Sequence, residues 1–560
     1  MRVSTSAMLT RSRPLGVGTA LTATLLALAL LAPSGSTAGE PARRPNIVVL
    51  MTDDQTLESL RVMPNVRELL GERGTTFSRS FVSFSLCCPS RATYLTGQYA
   101  HNHGVLSNRP PTGGYTKLDK SEWLPLWLQQ AGYRTIHLGK FLNGYGRDAP
   151  PTEVPPGWNE WYGSVDPSTY RFWGYTLNEN GLLNTYGVGR DPFLYSSDYY
   201  SQRAVELIAR HVPGPQPLFL NVAFLAPHSG GPREPDDPQG LATPAVAPRH
   251  RDRFAGTPQP LTPAFNEADV SDKPAHIRAR RPIGFVRAQA IQQNYQQRLE
   301  SLLAVDEGIA RILGALRGAG ELDDTLVVFT SDNGFFHGEH RVPSGKVLVY
   351  EPSVRVPLIL RGPGVPKGER RHQLVTNADL APTILEAAGG RPGKVQDGRS
   401  LFGLLRDGGR EWGRDLLIEG NIPGGGFDAL RTYRYLYAAY STGERELYDL
   451  ELDPHQLQSL HADPSYRRVK AGLARRLAAL KDCAGRACRA RPTAKLRVRR
   501  CVARVSGGGV ERVAFQSRTR ARVRRAPFRA LAAGRRLRAR VRTLDGRVVT
   551  LDRRLPRACR

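Results

Sequence analysis

Cys87-Cys88-Pro89-Ser90-Arg91-Ala92-Thr93-Tyr94-Leu95-Thr96-Gly97 is the stretch from which the rest of the chain can be read. Pro89 and Ser90 suit the opening of a helix, so Cys87 stands at a helix mouth with Arg91 beside it. The free N–H groups of such an end, joined by a guanidinium, make a ready anion site. A buried cysteine usually behaves as a small hydrophobe rather than as a reactive group. Cys87 and Cys88 are adjacent, however, and the ~3.8 Å between consecutive Cα atoms is shorter than a disulfide prefers. Pairing with each other does not explain them.

Upstream, Pro45-Asn46-Ile47-Val48-Val49-Leu50-Met51 is a mostly apolar run that ends in Thr52-Asp53-Asp54. It reads as a buried, parallel strand with acids at its carboxyl end, where open α/β sheets place their ligands. Two carboxylates there suit a hard divalent cation, although an isolated Asp-Asp pair is more often a solvated turn or a helix cap. Downstream, the apolar run 325–330 leads into Ser331-Asp332-Asn333-Gly334, which offers carboxylate and amide oxygens and a glycine for a sharp turn. Residues 135–139 and 217–226 read as further strands, each running into polar residues. A helix is expected near 63–70, and another over 294–316, where Leu299, Leu302, Leu303, Val305, Ile309, Ile312 and Leu313 share one side. The segment 229–285, rich in Pro, Arg and Asp, reads as a long surface insertion.

These alternating signals predict an α/β domain, a mixed central sheet flanked by helices, over 39–395. A smaller α+β subdomain follows over 396–490, with strands at 435–440 and 446–448 and a helix at 465–480. In residues 491–560 the alternation Leu537-Arg538-Ala539-Arg540-Val541-Arg542, a turn at Asp545-Gly546 and a strand at 547–551 predict a small basic β module. Cys483 with Cys488, and Cys501 with Cys559, are the nearest-neighbour pairings, though spacing alone does not fix connectivity.

The chain has 560 residues with 79 Lys and Arg against 51 Asp and Glu, a net charge of +28. Its 40% hydrophobic composition is ordinary for a globular protein and excludes a fibrous or mostly disordered chain. The basicity is local. Residues 491–560 hold 23 Lys and Arg against Glu511, Asp545 and Asp552, residues 1–38 hold three Arg and no acid, and about +5 remains for 39–490. Nucleic-acid binding by the whole protein is therefore not what the charge says. Arg2, Arg11 and Arg13 before the apolar run 20–32, then Ser36-Thr37-Ala38, form a signal peptide over 1–38. A secreted protein, extracellular or associated with the cell wall and without stable membrane insertion, is expected, in a compartment where cysteines pair.

Cys-x-Pro-Ser-Arg followed by Leu-Thr-Gly resembles the signature of the formylglycine-dependent sulfatases, members of the alkaline-phosphatase-like superfamily. The resemblance runs from Pro45 to about Leu480. It takes in Pro45 through Asp54, Gly139-Lys140, Ala226-Pro227-His228, Ser331 through Gly334 and Val356-Pro357-Leu358. Gly97-Gln98-Tyr99-Ala100-His101-Asn102-His103 and Gly139-Lys140-Phe141-Leu142-Asn143-Gly144-Tyr145-Gly146 look most like N-acetylglucosamine-6-sulfatases and related bacterial arylsulfatases. The resemblance implies a sulfuric ester hydrolase acting on sulfated sugars or aryl sulfates. Cys87 would be oxidised to formylglycine (3-oxoalanine) by a formylglycine-generating enzyme. Asp53, Asp54, Asp332, Asn333 and modified Cys87 would hold Ca²⁺.

It implies further that one hydroxyl of the hydrated aldehyde attacks sulfur, aided by the metal and Asp332. Arg91, Lys140 and Lys346 would surround the sulfate, His228 would protonate the leaving alcohol, and the second hydroxyl would expel sulfate. Many arylsulfatases carry a His where this chain has Leu142, which leaves the base for the elimination step unassigned among His103, His137 and His340. Two other readings compete. One is a phosphoester or phosphonate monoester hydrolase on the same fold. The other is a non-catalytic secreted protein that binds polyanions through 491–560.

Overall fold

The computed structural model describes residues 44–559 apart from 408–411, 423, 490–493, 508–509, 518–519, 524–527 and 544–547. The expected signal peptide at 1–38 and the turn at Asp545-Gly546 lie outside the described residues. A central sheet holds the strands β1 (Asn46–Thr52), β2 (Arg134–Gly139), β3 (Glu160–Ser164), β4 (Leu218–Ala223), β5 (Thr325–Ser331) and β6 (Leu358–Arg361). The main helices are α1 (Cys87–Thr96), α2 (Leu124–Gln130), α3 (Ser196–His211), α4 (Phe285–Gly318), α5 (Leu380–Ala388) and α6 (Arg467–Leu480).

Neighbours across the sheet run β6-β5-β1-β4-β2-β3. The five from β5 to β3 are mutually parallel, whereas β6 runs against β5 and a short strand at Tyr175–Glu179 runs against β3. The sheet is mixed, as expected. β1 is buried along its whole length because the period of two sends alternate residues into two cores. Val48 and Leu50 join Leu207 and Ile208 of α3 and Leu302, Val305 and Ile309 of α4 on one face. Ile47, Val49 and Met51 join Ala92 and Leu95 of α1, Trp127 of α2 and Ile384 of α5 on the other.

A second sheet holds β7 (Leu416–Ile422), β8 (Gly425–Arg431), β9 (Tyr435–Tyr440) and β10 (Arg445–Asp449), antiparallel in chain order. One face carries Ile418, Ala429 and Leu436; the other carries Leu417, Leu430 and Leu447 and packs on Leu473 and Leu477 of α6. The tail forms β11 (Ala494–Arg499), β12 (Val502–Gly507), β13 (Val510–Gln516), β14 (Arg520–Val523), β15 (Phe528–Leu531), β16 (Arg536–Thr543) and β17 (Val548–Arg554). They make sheets ordered β11-β12-β15 and β14-β13-β16-β17 over a shared apolar core. Leu537, Ala539 and Val541 turn into that core, as their alternation predicts. Cys483 bonds to Cys488 and Cys501 to Cys559, while Cys87 and Cys88 are free thiols.

Three elements differ from expectation. The helix near 63–70 is a 3₁₀ turn at Glu58–Val62 followed by a π turn at Val66–Gly71. Pro64 offers no N–H between them, and the Asp306 carboxylate takes the N–H groups of Asn65 and Val66 at 3.0 and 2.9 Å. The helix expected at 294–316 begins nine residues earlier, at Phe285. The segment 229–285 is not simply a surface excursion. Ala245, Val246, Val270 and Ile277 are buried, and its charges go inside in pairs, Lys273 Nζ lying 2.9 Å from Glu267. Composition reads those charges as solvated; pairing removes the penalty that would keep them out.

Candidate active site

Six of the nine expected site residues leave the carboxyl ends of four adjacent parallel strands. Asp332 and Asn333 follow β5, Asp53 and Asp54 follow β1, His228 lies just beyond β4, and Lys140 follows β2. Ladder-like bonds continue past the strands: Asp332 N donates to the Thr52 carbonyl at 3.2 Å and Lys140 N to the Ala223 carbonyl at 2.9 Å. Gly139 makes the last turn possible, with φ of +98° and a Cβ position 2.2 Å from that Ala223 oxygen. Gly334 is tighter in another way, because a Cβ there would lie 2.1 Å from the Pro352 oxygen.

The opening turn of α1 points into the same place. Cys87 is buried, its Sγ 3.5 Å from Asp53 Oδ1, 2.9 Å from Lys346 Nζ and 3.7 Å from Lys140 Nζ. Arg91 is clamped from three sides: Nε donates to Asp332 Oδ2 at 2.8 Å, Nη1 to the Lys140 carbonyl at 2.8 Å, and Nη2 to Asp53 Oδ2 at 3.3 Å. Lys140 also pairs with Asp53, and Lys346 with Asp54. Asp54 N donates to Asp332 Oδ1 at 3.1 Å, and Asn333 Nδ2 donates to Asp54 Oδ1 at 2.6 Å. His228 Nε2 lies 3.6 Å from Asp54 Oδ2, its Nδ1 bonded to the Ser229 carbonyl at 2.7 Å. All nine expected residues therefore meet in one buried cluster.

Its electrostatics sort the groups. Burial pushes Asp53 up, but Lys140, His228, Arg91 and Lys346 outweigh burial and hold it well below the usual carboxylate range. Asp332 is raised by burial and then by Asp53, so it is the readier of the two to take a proton. Burial, then Asp53, lifts the Cys87 thiol to about 12, which leaves an unmodified cysteine protonated and a weak nucleophile at neutral pH. Burial lowers His228 to about 4 despite Asp54 and Asp53. An anionic group arriving beside the ring acts in the opposite direction.

Ligand-type atoms of Asp53, Asp54, Cys87 and His228 lie within 4.8 Å of one another. His228 is thus inside the tightest cluster, while Asp332 stands one step out, engaged by Arg91 and Asp54. Asn333 Oδ1 is buried without a partner, an acceptor that a cation would satisfy. The other oxygen donors are the carboxylates of Asp53, Asp54 and Asp332, which suit a hard cation, whereas Cys87 Sγ and the His228 ring in the cluster are softer donors.

Leu142 is buried among apolar side chains. The three histidines considered for elimination are committed elsewhere: His103 to Thr93 and Val105, His137 to Asn221 and Gly139, and His340 to Glu267. Two neighbours had no signal in the sequence. Tyr170 lies 4.8 Å under Lys140 Nζ and 5.1 Å from the His228 ring. Arg298, on α4, donates from Nη2 to the Asp54 carbonyl at 2.5 Å, lies 3.8 Å over the Phe335 ring and leaves Nη1 buried without a partner. Its only trace in the sequence is a charge at 298 amid an apolar helical pattern.

A family model described as "Sulfatase" matches residues 45–390, and one described as "N-sulphoglucosamine sulphohydrolase, C-terminal" matches 338–483. An N-acetylglucosamine-6-sulfatase of Homo sapiens is 34% identical over 391 residues, covering 67% of this chain and 67% of that protein. The chain spans only 49% and 33% of the lengths of extracellular sulfatase homologues from Caenorhabditis elegans and Drosophila melanogaster, to which it is 35% and 34% identical. A structure solved with its substrate D-glucosamine-2-N,6-O-disulfate superposes with a TM-score of 0.66 at 24% identity, covering 78% of this chain and 97% of the other. At that identity the likeness is one of fold.

Proposed function

This chain belongs to the sulfatase family, and from that premise we propose that it hydrolyses a sulfate ester on a sulfated sugar, N-acetylglucosamine 6-sulfate or a close analogue, with aryl sulfates as simpler substrates. One observation carries the reading: Lys140 and Lys346 both reach Cys87 Sγ at the buried mouth of α1, with Arg91 fixed one turn behind. That is a cationic cradle around a single attacking atom. The sugar comes from the relatives, one named for N-acetylglucosamine 6-sulfate chemistry and one solved with a glucosamine disulfate.

The cluster fits a calcium ion held by Asp53, Asp54, Asp332 and Asn333, with the group at position 87 as a further ligand. Calcium would supply Lewis-acid polarisation of the sulfate, and formylglycine made from Cys87 by a formylglycine-generating enzyme would supply a hydrated aldehyde as nucleophile. The chain's own residues do the rest. Arg91, Lys140 and Lys346 bind and orient the sulfate oxygens and stabilise the charge that builds on them. Asp332 takes the proton of the attacking hydroxyl. His228 Nε2 hands a proton to the leaving alcohol once the anionic ester lifts its affinity for one. Residues 39–395 would carry this chemistry, 396–490 would buttress it, and 491–560 would be a separate basic module. Secretion fits the extracellular relatives, and among the described residues no helix is long and apolar enough to cross a membrane.

The test is intact-mass analysis of the Cys87 peptide from the native host, with aryl sulfate and aryl phosphate turnover measured side by side. A Cys87 peptide carrying –CHO in place of –CH₂SH and faster sulfate turnover are expected. An unmodified thiol, or faster phosphate turnover, overturns the proposal.

A further inference from the structure

On the outer face of the β11-β12-β15 sheet, cations stand opposite cations. Lys495, Arg497 and Arg499 alternate along β11 with Leu496, which turns into the tail's core, and Val498, which packs against it. The pairing register sets Arg497 opposite Arg504 of β12, and Arg504 opposite Arg529 of β15. All five side chains are exposed. Adjacent strands lie ~4.8 Å apart and alternate residues along a strand ~6.7 Å apart, so the five charges form a grid on one small face. Like charges directly opposite each other oppose strand pairing.

The other sheet of the same module meets the same problem, with Arg512 opposite Arg542 and Arg536 opposite Arg554, and offsets part of it. There Arg538 faces Asp552 across β16 and β17 and pairs with it at 2.9 Å, and Arg542 reaches Glu451. Among the described residues no carboxylate pairs with the Arg497-Arg504-Arg529 row. Among the described residues, that row of exposed guanidiniums is therefore open to an anion from solution.

We propose that this face binds a sulfated polysaccharide, holding a polymeric form of the substrate against the enzyme. The choice of polymer rests on the sulfate-ester reading above; the anion itself does not. A guanidinium fork takes two oxygens of a sulfate at once, and a grid of such forks suits a chain of repeating sulfates. The module is tied to the part before it: Arg468 of α6 donates to the Val510 carbonyl at 3.5 Å and lies 5.6 Å over the Phe528 ring. A polymer bound here is therefore presented at high local concentration to the same molecule.

The test compares the full-length protein with a triple variant, Arg497→Gln, Arg504→Gln and Arg529→Gln, and with a second in which the same three become Lys. Heparin is the probe, in salt-gradient chromatography and as a desulfation substrate. The Gln variant should elute at lower salt, its salt-dependence slope falling by about 3. Its KM for heparin should rise about tenfold while aryl sulfate kinetics stay unchanged. The Lys variant should keep most of the retention. Unchanged retention of the Gln variant overturns the proposal, as does equal loss in both variants, which would mean a structural role for the guanidiniums. Double-stranded DNA bound as tightly as heparin at equal salt, and lost in the same variant, reassigns the face and also overturns it. Retention is read without turnover. An inactive protein whose Gln variant still loses heparin defeats only the sulfatase reading, and an active one with unchanged retention defeats only this one.

Discussion

Replacing Arg298 with Met separates stability from metal binding in a way the geometry makes quantitative. Arg298 is buried, and its Nη2 donates to the carbonyl of Asp54, a residue held at φ of +65°. Losing a charged donor costs about 1.5–3 kcal/mol. The stacking on Phe335 is worth about 2 kcal/mol when desolvated, of which a methionine sulfur recovers about half. Against this, the variant no longer buries a guanidinium with an unpartnered Nη1, a gain of about 1–3 kcal/mol. The sum is a loss of roughly 1 kcal/mol, a shift in Tm of about 1 °C for a chain of this length.

The effect on Asp54 is not offset. A left-handed backbone costs a non-glycine residue about 1–2 kcal/mol, and Arg298 is what fastens its carbonyl. Asp332, Asn333 and Lys346 still hold Asp54, but its backbone is less well fixed without Arg298, so calcium affinity should fall about 10-fold. The assay is calcium titration followed by thermal shift, with aryl sulfate kinetics alongside. Arg298→Lys should recover part of the affinity. A calcium midpoint within about threefold of the parent, or a stability loss of several kcal/mol with the midpoint unmoved, would refute the reasoning.

Burial alone would lower His101, but its bond to Glu419 at 2.8 Å, and then the Cys483 carbonyl, lift it to about 9. A raised folded value means the stabilisation is fully present below about 6.5 and is lost as pH rises through 9; Glu419→Gln should therefore cost about 1–2 kcal/mol near pH 6 and progressively less toward pH 9 in urea melts, and a pH-independent difference would contradict it. Opening the Cys501–Cys559 bridge, which closes a separation of 58 residues, should cost the tail about 4 kcal/mol, against about 2 kcal/mol for Cys483–Cys488 with its separation of 5. Limited proteolysis of Cys501→Ser/Cys559→Ser protein should clip 494–559 first, leaving aryl sulfate activity intact. Gly334→Ala forces a methyl against the Pro352 oxygen and should lower stability by about 3 kcal/mol or more; an unchanged melting temperature would show that the turn has room.

What the sequence could say depended on how local the cause was. β1, β5 and the tail strands β16 and β17 announce themselves because a period of two, or an unbroken apolar run, is written within eight residues. The joining of Asp54 to Asp332 and Asn333 across some 278 residues is not a pattern at all, and only the motif order suggested it. Arg298 was invisible for a related reason: its partner is a backbone carbonyl, which no side-chain pattern encodes. The broken turns at 58–71 escaped because their cause, the Asp306 carboxylate, comes from a helix far along the chain. The buried pairs in 229–285 were hidden by composition, which counts charges but not their neighbours.

The burial of α1 has a consequence in time. Each of its ten residues is buried, Cys87 at 1% exposure, and its thiol is ringed by Asp53, Lys140 and Lys346. No second enzyme can take hold of that segment in the finished protein. Any oxidation of Cys87 has to reach an extended chain, before β1 and β5 close over it. Folding then works as a deadline: a chain that packs early keeps its thiol for good. Denatured protein should accept the modification, native unmodified protein should refuse it, and slowing the folding of 44–390 should raise the modified fraction.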